Sequence, residues 1–580
     1  MSRLSLRAPL LAAAVAAFSP ATAQAAPTPF GHECTPQAGF RSCPTTTLDQ
    51  RVPSFDGTPI DVDVTLPPEG DGPFPTLLLL HGLGGNKGSF LKPSPTNPGY
   101  DAQSFAKAGY AVVTPTARGF GDSCGKPESR TAGCEQSFTR LDDIRYEIRD
   151  YQTLVGRLVD EGIAKPDAIG STGISYGGGA STMLGYLKDR VRNPDGSYSP
   201  WTSPKGTPIS LTAAWPRWLW TNGESIFLRN GRADAWSRTP TGVPTKAYAG
   251  GIFLVAFGGF TAETGGPVDT DVKRWKAGLD AGTLGAEVQP VLDNAYSFHG
   301  VASVPPPIDG PSPLLLQSGW TDALFPVGQS LAAYDRLRKV DPQFPVALQL
   351  ADLGHNPGAN HPADVAAFNR QGLQFLDSWL KGSAPKLRPG VATVFTMSCP
   401  SDAPAGGGPY AAPSYDKLTT RTVRMQTKSR LRISSAGASK ELAAELNPLG
   451  ATASHCSPHT PDKKNKAVVA GRVRRSFTLL GRPVITGRVA TKGRYGQIIA
   501  RLWDLNPRTN EQLMITRGAY RLADDEKGSF RFTLDGNGWK FAKGHRVVVE
   551  LVGRDEPTYA PSPATWKATL SKVKVALPSR

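Results

Sequence analysis

Histidine is scarce in this chain, with eight in 580 residues. A reaction that needs an imidazole base therefore has few candidates. Long apolar runs are missing too. Beyond the first 25 residues, no stretch reaches the roughly 18 uninterrupted apolar residues that suggest a membrane span. No Cys-x-x-Cys pair and no histidine cluster has zinc spacing, which argues against a metal site, and no cofactor is expected. Nucleic-acid reader motifs are absent as well, which argues against a nucleic-acid partner despite a net charge of +16. What is present is ordinary for a soluble globular protein: 39% hydrophobic and 20% charged residues. The length calls for two or three domains.

Arg3 and Arg7 precede an apolar run from Leu10 to Phe18, and Ala23-Gln24-Ala25 is a small-x-small cleavage pattern. Residues 1–25 therefore read as a signal peptide, which predicts a secreted, extracytoplasmic protein. Six cysteines in an exported chain predict disulfides. Proximity suggests Cys34 with Cys43, Cys124 with Cys134, and Cys399 with Cys456. The charge is uneven. From residue 401 onward there are 31 lysines and arginines against 14 acids, while the rest of the chain is close to neutral. Such an excess suits a solvated basic surface, or contact with an envelope polyanion.

One short turn organises the rest. Gly173-Ile174-Ser175-Tyr176-Gly177 reads as G-x-S-x-G, a nucleophile elbow. A strand-like run from Asp167 precedes it, and a helix-like run to Tyr186 follows. The turn is sharp, so glycines must flank the serine. It aims backbone N–H groups, that of Tyr176 among them, where an oxyanion would form. Thr76 to Leu80 is a wholly apolar run, as a strand covered on both faces would be. His81-Gly82-Leu83 follows it, the usual place for a second oxyanion donor, here the N–H of Leu83. The side chain of His81 reads as structural. Further buried strands are expected at Tyr110 to Pro115, Leu211 to Ala214, Pro313 to Gln317 and Val346 to Leu350. Apolar spacing from Asp142 to Val159 predicts a helix, with Asp142 and Asp143 near its N-terminus.

A serine hydroxyl needs a base, and the base needs an acid to hold its tautomer. On an α/β-hydrolase sheet these follow in the order Ser, Asp or Glu, His, each after a strand. Ser175, Asp322 and His355 obey that order. His355 is preferred over His361 and His299 because it directly follows a strand. Asp322 is preferred over Asp309 and Asp352 for the same reason. The fold class expected is α/β: an α/β-hydrolase with an inserted cap, then an all-β, jelly-roll-like C-terminal domain. The divisions are residues 26–48 as a lead, a loop pinned by Cys34 and Cys43, 49–388 as the catalytic domain with a cap at about 190–300, and 389–580 as the β-domain. Within the latter, Val391 to Met397 opens a series of alternating runs, and residues 400–466 read as a long excursion. Trp201, Trp215, Trp218, Trp220 and Trp236 fall in the cap stretch, where aromatics could form an apolar acyl pocket.

Arg118-Gly119-Phe120-Gly121-Asp122-Ser123, the elbow, Gly319-Trp320-Thr321-Asp322 and Gly354-His355 together resemble the family of X-Pro dipeptidyl-peptidases and cocaine-esterase-type acyl hydrolases. So do Val484-Ile485-Thr486-Gly487 and Arg501-Leu502-Trp503-Asp504 in the tail. The likeness spans about 50 to 560. It implies Ser175 as nucleophile, Asp322 as orienting acid, His355 as base, and a small ester or short peptide as substrate. The chain departs from the family in one respect. Many members supply a tyrosine hydroxyl to the oxyanion hole from the loop that here reads His-Gly-Leu-Gly-Gly. Two amides, of Leu83 and Tyr176, are expected instead. A reading from another class is a surface-binding protein that uses the basic β-domain and carries an inactive hydrolase fold.

Overall fold

The fold is that of a computed structural model, which describes residues 27–135, 137–229, 232, 236, 238, 242–247, 250–251, 272–281, 285–286, 288–437, 439–450, 454–465 and 467–580. Residues 1–25, expected to be a signal peptide, and the middle of the expected cap lie outside these residues. Eleven strands form the central sheet: β1 Thr35–Gln37, β2 Phe40–Cys43, β3 Val62–Leu66, β4 Phe74–Leu80, β5 Ala111–Pro115, β6 Ala164–Ile174, β7 Leu211–Arg217, β8 Leu314–Gly319, β9 Val346–Ala351, β10 Ala392–Thr396 and β11 Gly407–Ala412. Their spatial order is β1-β2-β3-β5-β4-β6-β7-β8-β9-β10-β11. From β5 to β10 all neighbours run parallel. That explains why β4, β5, β8 and β9 read as near-continuous apolar runs: both faces are covered.

Helices α1 Ala102–Lys107, α2 Glu147–Asp160, α3 Tyr176–Leu187, α4 Gly328–Val340 and α5 Pro362–Leu376 connect these strands. The first of them, α1, is capped by the Asp101 carboxylate, which accepts from the Ser104 amide at 2.8 Å. Three expectations need correcting. The lead is not a loop. It supplies β1 and β2, which extend the sheet edge through Cys43↔Val64 register. Val391 to Met397 does not open the second domain. It holds β10, which pairs in parallel with β9, so the first sheet continues to Ala412. Helix α2 starts at Glu147, not Asp142. Leu141 and Asp142 have φ of 55° and 60°, a left-handed turn that a helix start cannot include.

The C-terminal domain is a sandwich. Its strands are β12 Arg421–Gln426, β13 Leu431–Ser434, β14 Val468–Arg472, β15 Phe477–Gly481, β16 Val484–Gly493, β17 Gln497–Asn506, β18 Glu511–Arg521, β19 Lys527–Thr533, β20 Asn537–Phe541, β21 Arg546–Val552 and β22 Trp566–Ser579. One sheet runs β19-β16-β22-β15-β20, with β12 and β13 also on β22; the other runs β14-β21-β17-β18. Ile485, Val489, Phe530, Leu502, Val549 and Leu570 meet in the core between them. Residues 400–466 are thus more regular than the excursion expected, holding β11, β12, β13 and a short helix at Lys440–Glu445. All three disulfides are formed: Cys34–Cys43, Cys124–Cys134 and Cys399–Cys456. Among the described residues, no helix is long and apolar enough to cross a membrane.

Candidate active site

Four strand ends converge on one rim. β4 runs into Leu83, β6 into Ser175, β8 into Asp322 and β9 into His355. Crevices outside the C-terminal ends of parallel strands are where this architecture places ligands. Ser175 sits in the sharp turn between β6 and α3 at φ 61°, ψ −114°. That is a strained conformation for a residue with a Cβ, and it holds because the surroundings permit no other path. A Cβ on Gly173 would strike the Gly177 carbonyl, one on Gly177 the Leu80 carbonyl, and one on Gly178 the Arg217 carbonyl. Glycine is required at each of these positions by close backbone approach.

The Ser175 hydroxyl lies 2.7 Å from His355 Nε2. On the other side of the ring, Nδ1 lies 2.9 Å from Asp322 Oδ2. Asp322 is fully buried, and its Oδ1 accepts from the amides of Leu324 and Phe325, both at 2.9 Å. Those bonds fix the carboxylate, and the carboxylate fixes which ring nitrogen carries the proton. Nε2 is left free to accept from the serine. Trp218 and Phe325 present ring edges to the imidazole at centroid distances of 5.3 and 5.1 Å. This geometry can activate a hydroxyl for attack on a carbonyl carbon.

The other candidates are bonded elsewhere. His361 Nδ1 lies 2.6 Å from the Ala403 carbonyl, and its Nε2 lies 3.5 Å from Asp352. Asp352 in turn accepts from Thr321 and from the Ala359 amide, tying the Asp322 loop to the His355 loop. His299 Nδ1 lies 2.8 Å from the Leu141 carbonyl and Nε2 lies 2.7 Å from Asn294. His81 is buried. Its Nε2 accepts from the Ala117 amide at 3.0 Å and its Nδ1 lies 2.7 Å from the Gly82 carbonyl. Burial lowers its pKa to about 4, so the ring is neutral and props the loop that carries Leu83.

Tyr176 anchors the elbow from the other side. Its hydroxyl accepts from the Asp142 amide at 2.7 Å and faces Glu147 Oε1 at 3.4 Å. Burial pushes the Glu147 carboxyl up to about 8, against the nearby Arg118. Asp142 and Asp143, expected at a helix start, are fully buried in this turn instead. A cavity of about 380 Å³ opens beside Ser175 and His355. Its walls include Leu83, Leu141, Trp220, Phe227, Trp275 and Leu449. Of the tryptophans expected in the cap, Trp220 lines this cavity while Trp215 belongs to β7 and the sheet core. Phe227, Trp275 and Leu449 are not legible as wall residues in the sequence. Leu449 comes from the C-terminal domain, and nothing in its Pro-Leu-Gly setting signals a partner in the other domain.

Residues 56–191 match the family model for X-Pro dipeptidyl-peptidase (S15 family), and residues 417–577 match the X-Pro dipeptidyl-peptidase C-terminal non-catalytic domain. The chain belongs to the X-Pro dipeptidyl-peptidase family. It is a serine hydrolase, a peptidase or ester hydrolase. No curated protein matches it in sequence. Solved structures share its fold over nearly the whole length at low identity. An aminopeptidase from a marine sediment Thaumarchaeota archaeon is 13% identical with a TM-score of 0.59, covering 98% of this chain and 99% of that one. An α-amino acid ester hydrolase is 14% identical with a TM-score of 0.58, covering 97% of this chain and 100% of that one. A CocE/NonD family hydrolase from Staphylococcus aureus is 13% identical with a TM-score of 0.54, covering 94% and 98%.

Proposed function

We propose that this S15-family chain hydrolyses esters with an apolar acyl group, through a covalent acyl-enzyme on Ser175. His355 takes the serine proton as Oγ attacks the carbonyl carbon, then delivers it to the departing alcohol. Asp322 holds the imidazole and stabilises its charged form. The amides of Leu83 and Tyr176 receive the oxyanion. Water, deprotonated by His355, attacks the acyl carbon; the acid leaves and Ser175 recovers its proton. The observation that carries this reading is the unbroken chain from Asp322 Oδ2 to His355 to the Ser175 hydroxyl, opening onto the apolar cavity.

The apolar walls favour acyl esters over X-Pro peptides. Releasing a dipeptide requires an anion to hold the substrate amine, and among the described residues no carboxylate lines the cavity. Side-by-side assay of a short p-nitrophenyl acyl ester and an X-Pro chromogenic peptide tests the choice. Faster turnover of the ester is expected; a higher kcat/KM on the peptide would reverse it. A fluorophosphonate probe tests the enzyme reading itself, through labelling of Ser175 in the folded protein. Absence of label would favour the binding-protein alternative. Export before folding is part of the proposal, and the three disulfides support it. The N-terminal sequence of secreted protein, expected to begin near Ala26, tests that step.

A further inference from the structure

The outer sheet of the C-terminal domain has an unusual composition. Its seven strands, β12, β13, β15, β16, β19, β20 and β22, contain eleven lysines and arginines and no aspartate or glutamate. Alternation sends the apolar residues inward: Ile485, Val489, Phe530, Phe532, Leu570 and Val575 are core. Arg432, Arg488, Lys492, Arg531, Lys567 and Lys574 are exposed and alternate with these core positions, so these six share the solvent face. Lys492 on β16 stands directly opposite Lys567 on β22. Two residues along from Lys567, Thr569 pairs with Arg432 on β13. Further down the same face, Thr486 pairs with Lys574 on one side and Arg531 on the other. Among the described residues, none of these cations has a carboxylate within ion-pair distance.

Like charges placed directly across two strands destabilise the pair. A sheet whose face carried charge only for solubility would intersperse both signs. This face instead accumulates one sign at a spacing set by the strands, about 4.8 Å apart. At one end, Arg432, Lys464, Lys492 and Lys567 line a groove of about 750 Å³. One polar side-chain atom lining that groove, Asn465 Nδ2, is buried without a hydrogen-bond partner in the protein. It points to a ligand that supplies a hydrogen-bond acceptor beside the cations.

We propose that this face binds a linear anionic polymer of the cell envelope, bearing carboxylates or phosphodiesters along its length. Among the described residues these strands present no exposed aromatic ring on which bases could stack: Phe477, Phe530, Phe532, Phe541 and Trp566 are buried, and Trp539 is half-buried with its Nε1 donating to Asp504. Nor do they offer an apolar wedge for a lipid surface. The polymer lies across β16, β22 and β13, with anions over Lys492, Lys567 and Arg432 and its hydroxyls or acceptors entering the groove.

Fluorescence anisotropy of labelled polygalacturonate and labelled poly(glycerol phosphate) with the full-length protein tests this. Binding to at least one is expected at 50 mM NaCl, weakening tenfold or more by 200 mM as counterion release requires. The relative affinity of the two polymers identifies the anion. A triple variant, R432Q/K492Q/K567Q, should lose at least tenfold in affinity while its esterase kcat/KM and thermal midpoint stay at wild-type values. The proposal fails if neither polymer binds at 50 mM NaCl, if the variant binds as wild type does, or if neutral dextran or duplex DNA binds as tightly as both polymers.

Discussion

In the first domain, Arg118 in the loop after β5 is fully buried, with Nε 2.7 Å from Asp150 and Nη1 2.8 Å from Asp56. On the outer sheet of the second domain, Lys492 faces Lys567 across exposed strands that contain no acid. Both regions use cations, and they handle them in opposite ways. A buried guanidinium must be matched on the spot, because desolvation is expensive and the interior supplies no counterion. An exposed lysine is matched by solvent and salt, so its partner can be left to arrive from outside. Position relative to water, rather than residue type, decides whether a charge serves architecture or recognition.

Substitutions can break or sharpen this contrast. The largest effect belongs to Ser175→Ala, which should lower ester turnover by about 10³-fold or more, read by steady-state kinetics, with polyanion binding untouched. Next comes Arg118→Gln. It leaves Asp150 and Asp56 without their cation and should cost about 3–5 kcal/mol in denaturant unfolding. A loss under about 1 kcal/mol would mean that the buried Arg118–Asp150 pair is not the structural element described. The His81 ring adds a pH signature. Its pKa is lower folded than unfolded, so the unfolded chain binds the proton first as pH falls from about 6.5 to 4. Stability should drop by about 3 kcal/mol across that window from this group, and His81→Gln should flatten the dependence seen by thermal melts. Leu449→Ala enlarges the cavity from the second domain's side and should change the ratio of kcat/KM for long and short acyl esters by about tenfold. Smallest of all, Lys492→Gln should alter folding stability by less than about 0.5 kcal/mol, or raise it slightly by removing a like-charge pair.

Much of this layout is legible in the amino-acid sequence itself. The parallel strands announce themselves because burial on both faces leaves no polar alternation, and the elbow because its glycines answer a steric demand that no other residue meets. Asp322 and His355 follow from chain order and from lying at strand ends. Legibility fails where the cause is tertiary. The apolar spacing in 142–159 cannot reveal that Asp142 sits in a left-handed turn fixed by the Tyr176 hydroxyl. The run at Val391 to Met397 alternates like a sandwich strand, and only its parallel neighbour β9 assigns it to the first sheet. Cavity walls are the least legible. Trp275 and Leu449 are ordinary apolar residues whose role depends on what folds over them. The cationic excess of the tail is visible as a number, but the gathering of eleven of those 31 cations on the strands of one acid-free sheet requires the strand register.

Leu449 gives the two-domain layout a practical meaning. Because a half-exposed side chain from the second domain forms part of the cavity wall near Ser175, the tail is not inert cargo. Chimeras that exchange the tail between relatives would alter substrate choice even if both modules folded correctly, and a shortened chain ending after β11 would lack that stretch of wall beside Ser175.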